Sequence, residues 1–170
     1  PFSFLEVNLD GKEVRVRRHD LQMPSELGLT DLHVHTQFAY CSENMDISKT
    51  RALAGDFGLK AFAFAEHSGQ LYFDWDTYWK GVFLYNDIKP RKDQLSRMDA
   101  FFAALAEVNW DPRNIALETD CDFHGLPVVL PEDREKVSFL IGAVHRMKSL
   151  DQKPFNPEAV LAEFLASNEK

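Results

Sequence analysis

An α/β fold built on a parallel sheet is the class this sequence predicts, on three observations. Residues 59–65 form a short apolar run with no alternation, the pattern of a strand covered on both faces. A helical segment at 46–57 separates that run from an earlier short strand at about 29–34, giving strand, helix and strand in the order of a parallel crossover. Histidines gather at the C-terminal ends of the predicted strands, the end of a parallel sheet where ligands bind. At 170 residues the chain is long enough for one domain that buries about two-thirds of its unfolded surface.

Residues 1–22 read as a hairpin extension. Phe2, Phe4, Glu6 and Asn8 alternate with Ser3, Leu5, Val7 and Leu9, Asp10-Gly11 supplies a tight-turn pair, and Val14 and Val16 resume the alternation against Arg15 and Arg17. Met23-Pro24-Ser25 breaks the pattern, and Gly28 precedes the strand at 29–34. Asp46 is placed to cap the next helix, with Ile47, Leu53 and Phe57 on its apolar side and Gly58 as its stop. The aromatic-rich stretch 69–89 reads as a long ordered loop, more a cover for the core than a platform for stacking bases. Pro90 opens a helix to about Val108, with Leu95, Met98, Phe102 and Leu105 at helical spacing. Strands follow at 115–121 and 138–144, with a helical turn at 131–137 between them. Asn156 caps and Pro157 begins a last helix that carries Val160, Leu161, Phe164 and Leu165 on one side. A helix in an α/β fold usually hands the chain to another parallel strand, so this order reads as ending early.

Composition narrows the function classes. Lys+Arg 19 against Asp+Glu 27 gives a net charge of -8, so nucleic acid is not an expected partner. The longest apolar runs, at 61–65, 101–106 and 139–144, are far too short to cross a bilayer. The opening Pro1-Phe2-Ser3-Phe4 has no signal-peptide pattern, and two cysteines, Cys41 and Cys121, are too few for a disulfide scaffold. A soluble, cytoplasmic protein is the expectation. The Arg15-Val16-Arg17-Arg18 cluster reads as a solvated strand face, His19 and His124 as surface residues, and Cys121 as a packed thiol.

The chemistry concentrates at the strand ends. His33 and His35 close the first strand in Asp31-Leu32-His33-Val34-His35-Thr36, two apart and therefore on one side, where they can grip one cation together. His67 closes the second in Glu66-His67-Ser68, and His145 the last in Gly142-Ala143-Val144-His145. Glu118 lies inside the apolar third strand, in Leu117-Glu118-Thr119-Asp120. A single strand-end histidine is most often a hydrogen-bonded packing residue. Packing does not explain histidines at three strand ends beside a carboxylate in an apolar strand, because a buried, unpaired carboxylate costs several kcal/mol. A divalent-cation site is the expectation.

In order and spacing these motifs resemble the first motifs of the PHP (polymerase and histidinol phosphatase) family, over roughly residues 29–165. The resemblance implies a distorted (β/α)7-type barrel. It also implies up to three divalent cations (zinc, manganese or iron) at the C-terminal mouth, and hydrolysis of phosphate esters. By the same resemblance His33 and His35 are ligands of a first metal, Glu118 bridges the first and second, His145 binds the second and His67 the third. Many members have a further third-metal histidine six residues after the His-x-His pair. Cys41 stands there in this chain, either as a softer thiolate ligand or as a structural cysteine. Glu66 stands where the family usually has Asp, and both Asp31 and Glu66 are expected to support ligating histidines rather than bind metal. The family's later motifs, Ser-His-Pro and Asp-x-His, do not occur after Val144. Each metal would then lack a ligand, and the barrel about three strands. The expectation is therefore an incomplete barrel, about the first half to two-thirds, with residues 23–170 as a metal-binding domain cut short at its C-terminal end.

The function implied is metal-dependent hydrolysis of a phosphomonoester or phosphodiester, with water as nucleophile. The acidic balance favours a small phosphorylated metabolite such as histidinol phosphate. His33, His35, Glu118 and His145 would carry the catalysis through the cations, while Arg146 and Lys148 are candidates to touch substrate phosphate. The rivals are an amidohydrolase-type C–N hydrolase, which often adds a carboxylated lysine that these strand ends lack, and a non-catalytic metal-binding module. Their common strand-end placement should bring His33, His35, Glu118 and His145 to one mouth, and the family resemblance implies that the Cys41 sulfur lies near His67. As it stands the chain should bind divalent metal weakly and hydrolyse phosphate esters poorly. The last strand should expose an unpaired edge for a second copy, a swapped segment or the hairpin to cover.

Overall fold

The computed structural model describes residues 4–9, 12–17, 28–84, 97–122, 125–151 and 153–168. Strands β1 (Phe4–Leu9) and β2 (Lys12–Arg17) pair antiparallel in a two-stranded ribbon. The Asp10-Gly11 turn, Arg18, His19, Pro90, Leu95 and His124 lie outside the described residues, as do the side chains of the Arg15–Arg17 cluster.

The remainder is α/β. Strands β3 (Thr30–Val34), β4 (Ala61–His67), β5 (Ile115–Asp120) and β6 (Phe139–Ala143) form one four-stranded sheet in the order β3-β4-β5-β6, with every neighbouring pair parallel. The sheet curls into a half-barrel. Burial follows position in the sheet. All of β5 is buried and β4 is buried from Ala63 onward, whereas β3 is exposed along most of its length and β6 is half-buried. Continuous apolar runs thus mark the two central strands, as covering on both faces requires.

Helix α1 (Ile47–Asp56) links β3 to β4. Asp46 caps it, its Oδ1 accepting the Lys49 N–H at 2.8 Å. Its buried positions are Ile47, Thr50 and Ala54, and Phe57 is 45% exposed rather than on the apolar side. The helix ends at Asp56, so Phe57 has already left the buried face, and Gly58 (φ 68) completes the stop. Helix α4 (Arg97–Glu107) buries Met98, Phe101 and Leu105, which meet Phe64, Ile115 and Leu117 of the sheet in the main core. Phe101 is fully buried, and truncating such a ring costs about 3–5 kcal/mol.

One expectation changes. The segment from residue 69 is not a loop: α2 (Ser68–Tyr72) continues directly from β4, and α3 (Trp75–Lys80) and a 3₁₀ turn (Val82–Leu84) follow. Asp74 caps α3, accepting the Thr77 N–H at 2.8 Å, and Gly81 ends it in the left-handed region. These short-helix signals are obscured in the sequence by the density of aromatic residues between them. After α5 (Pro131–Arg134) and β6, α6 (Pro157–Asn168) starts where Asn156 Oδ1 accepts the Ala159 N–H at 3.2 Å. Its apolar side remains open: Leu161, Phe164 and Leu165 are 58%, 43% and 53% exposed. Among the described residues, no helix is long and apolar enough to cross a membrane.

Candidate metal centre

Strand register builds the site. His67 and Glu118 are register partners across β4 and β5, and Glu118 and Asp120 face Ile141 and Ala143 of β6. The pairing of β3 with β4 slips between Asp31 and Val34, so His33 sits at an irregularity and His35 lies just past the strand end. His145 follows β6 by two residues. All five side chains meet at the C-terminal end of the sheet.

Glu118 is their centre. Its Oε2 lies 2.9 Å from His67 Nδ1, 3.0 Å from His33 Nε2 and 3.4 Å from His35 Nε2, while Oε1 lies 3.1 Å from His145 Nε2. Glu118 Oε2, His35 Nδ1 and His67 Nδ1 are nevertheless buried without a partner in hydrogen-bond geometry. The rings of His35 and His67 stack at 4.3 Å and 13°. Cys41 Sγ stands 3.3 Å from His67 Nε2, on the side where the sequence placed it. Three overlapping groups, each with donor atoms within 4.8 Å of one another, could hold a cation: His33, His35 and Glu118; His67, Glu118 and His145; and His35, Cys41 and His67.

Buried polar residues brace this cluster. Glu66 is fully buried; its Oε2 accepts the Thr36 N–H at 2.9 Å and the Thr36 hydroxyl at 2.5 Å, and its Oε1 lies 3.4 Å from His35 Nδ1. Asp31 Oδ1 accepts the backbone N–H of His33 at 3.0 Å, so its support reaches the main chain rather than the imidazole. Asp120 is the residue sequence reasoning missed. It is buried, and its Oδ1 takes the His145 Nδ1 proton at 2.7 Å. The signal was its place two residues after Glu118, on the same face of the strand. Arg97 donates to the carbonyls of Phe38 (2.6 Å) and Gln70 (2.8 Å), and Gln70 Oε1 accepts the Tyr40 N–H, which together tie the Cys41 loop to α2 and α4. Arg146 donates to the Trp79 carbonyl, and the Lys148 N–H donates to Glu163 of α6 at 2.8 Å.

A family model described as the PHP domain matches residues 31–169. The chain belongs to the PHP-domain family. No curated protein and no solved structure matches it.

PHP domains are of a metal-dependent phosphoesterase type, and the donor set here fits divalent cations. A buried carboxylate oxygen ringed by imidazole nitrogens at 2.9–3.4 Å, none of them hydrogen-bonded to it, leaves lone pairs that a cation satisfies. Electrostatics agree. Burial alone would raise the Glu118 pKa, yet His145 beside Oε1 and the imidazoles of His67 and His33 close to Oε2 hold it far below the usual carboxylate range. Hydrogen bonds to Asp120 and then Glu118 push His145 up to about 10 against its own burial. His35 is also raised, because Glu66 and Glu118 outweigh its desolvation.

Proposed function

We propose that this PHP domain hydrolyses small phosphomonoesters, such as histidinol phosphate, with divalent cations (zinc, manganese or iron) held by His33, His35, His67, Glu118 and His145. Cys41 completes the group with His35 and His67 as a thiolate. The observation that carries the reading is Glu118 Oε2, buried among three imidazole nitrogens with no hydrogen bond. Divalent cations supply Lewis acidity to phosphoryl oxygens and acidify water.

The chain's own residues prepare that chemistry. Glu118 belongs to two of the three donor groups, so its oxygens divide between His33 and His35 on one side and His145 on the other. Asp120 holds the proton on His145 Nδ1, which leaves Nε2 as the donor atom facing Glu118. Glu66 fixes Thr36 and, through it, the turn that follows His35. Arg146 beside His145 meets a phosphoryl oxygen. Water attacks in line with the leaving alkoxide, and no side chain need act as nucleophile.

Turnover of p-nitrophenyl phosphate by the chain, with zinc or manganese and then with chelator, tests the reading. Chelator-sensitive hydrolysis that Glu118→Gln abolishes is expected. Hydrolysis of an anilide in preference to the phosphate would assign C–N chemistry instead. Tight metal binding with no turnover of either would make the domain a non-catalytic module.

A further inference from the structure

The aromatic segment of α3 and the turn after it is seated on the metal mouth by two close approaches. Gly69 lies where a Cβ would come within 2.9 Å of the Tyr78 ring and 3.0 Å of Asp120 Oδ2. At Gly81 (φ 64) a Cβ would meet the Arg146 side chain at 3.0 Å. Bare backbone at these positions lets Tyr78 press against the strand end that carries Asp120, and lets Arg146 cross the end of α3 to the Trp79 carbonyl. The rings brace one another. Tyr78 stacks on Phe83 at 5.6 Å and 16°, Phe83 stacks on Phe73 at 4.7 Å and 18°, and Trp79 meets Tyr78 edge-on at 5.1 Å. Between this wall and the candidate ligands His67 and His145 lies a pocket of about 280 Å³.

Building on the phosphoesterase reading, we propose that this pocket holds the organic part of the substrate and selects a phosphomonoester with a compact aromatic or apolar leaving group. The pocket shares His67 and His145 with the donor cluster, so a phosphate ester held by those residues would have room for its organic part against this wall. Tyr78 and Phe83 are 6% and 7% exposed and packed on one another at the base of the wall, while Trp79, 41% exposed, offers open ring surface. Burial pushes the Tyr78 phenol up to about 12, which keeps it neutral at any working pH. The volume stands at the small end of ligand pockets, enough for a single ring and its linker. A nucleic-acid strand asks for something else: a basic groove with rings for successive bases. Arg146 is the one basic side chain besides the histidines that lines the pocket among the described residues.

The test uses phosphonates, which bind like phosphate esters but are not cleaved. Zinc binding to the chain is first measured by calorimetry; phenylphosphonate, methylphosphonate and the uncleavable 5′-phosphonate analogue of a thymidine nucleotide are then titrated into the zinc-loaded chain and followed by tryptophan fluorescence and calorimetry. Phenylphosphonate is expected to bind roughly ten- to a hundredfold more tightly than methylphosphonate, the gain from burying one ring. Trp79→Ala, at a site 41% exposed, should shrink that ratio, with a thermal melt and zinc titration of the variant confirming that the fold and metal site are retained. Equal binding of the phenyl and methyl compounds, or tightest binding of the nucleotide, would overturn the pocket while leaving the phosphoesterase reading intact. A chain that binds zinc but none of the three would overturn both.

Discussion

Asp120 sets the orientation of His145, and the consequence is measurable on metal. Its carboxylate accepts a hydrogen bond from His145 Nδ1 at 2.7 Å, which fixes both the tautomer and the ring. Asp120→Asn preserves shape but not that charge, and should weaken zinc binding by about 10–100-fold while also lowering the melting temperature of the metal-free chain at acidic pH. Calorimetric titration reads this, and an unchanged affinity would mean that His145 orients itself. The same pair sets a pH dependence. His145 is raised from 6.5 to about 10, so the charged pair stabilises the metal-free fold below 6.5 and that contribution is lost as pH rises through about 10. Zinc must displace the proton, so affinity should climb with pH over that window, and the binding heat should vary with the ionisation heat of the buffer. A buffer-independent heat would contradict it. Cys41 carries a separate expectation: zinc should slow its alkylation, read by peptide mass, while Cys121 keeps its rate. Equal rates for Cys41 with and without zinc would leave it a structural cysteine. The histidines and Glu118 were legible in the sequence because polar donors stood at the ends of apolar runs. Asp120 was not, because strand-end carboxylates commonly face water and nothing in Ile115–Asp120 announces that all six residues are buried.

At the scale of elements, two glycines should respond to alanine with opposite signs. Gly69→Ala forces a methyl group against the Tyr78 ring and the Asp120 carboxylate, both buried and unable to retreat, and should cost about 1–3 kcal/mol. Gly55 lies inside α1 with nothing within 4 Å of an added Cβ, so Gly55→Ala should stabilise by about 0.5–1 kcal/mol. Thermal melts of the two variants check both, and a stabilising Gly69→Ala would show that α3 is not pressed on the strand end. Strand β4 could be read in advance because Ala61–Ala65 is an unbroken apolar run, and β5 from the shorter run Ile115–Leu117. Helices α2 and α3 could not: Asp74 and Gly81 gave start and stop signals, but five and six residues carry too little periodicity to separate helix from loop. Leu161, Phe164 and Leu165 show the opposite failure, a helical stripe correctly recognised whose covering surface no local pattern specifies.

For the whole molecule, the α/β class with a parallel sheet was readable in advance, and among the described residues the sheet is a four-stranded half-barrel whose edge strands are β3 and β6. Which face the aromatic segment would close could not be read from the sequence, since it depends on a register formed between residues far apart. That register has a kinetic consequence. Apart from the local set His33, His35 and Cys41, the donors are spread across the chain at positions 67, 118 and 145, and they meet only after β4 has zipped to β5. An unfolded chain therefore offers a cation at most that local set, without the Glu118 carboxylate. Zinc at about a hundred times its dissociation constant should add about 2.7 kcal/mol to stability, nearly all of it as slower unfolding with the refolding rate unmoved. Stopped-flow urea jumps with and without zinc separate the two limbs, and a zinc-accelerated refolding limb would place the site in the folding nucleus. Glu118 and its ring of imidazoles thus form a latch closed after assembly: the metal governs how long the protein lasts once folded, not how fast it gets there.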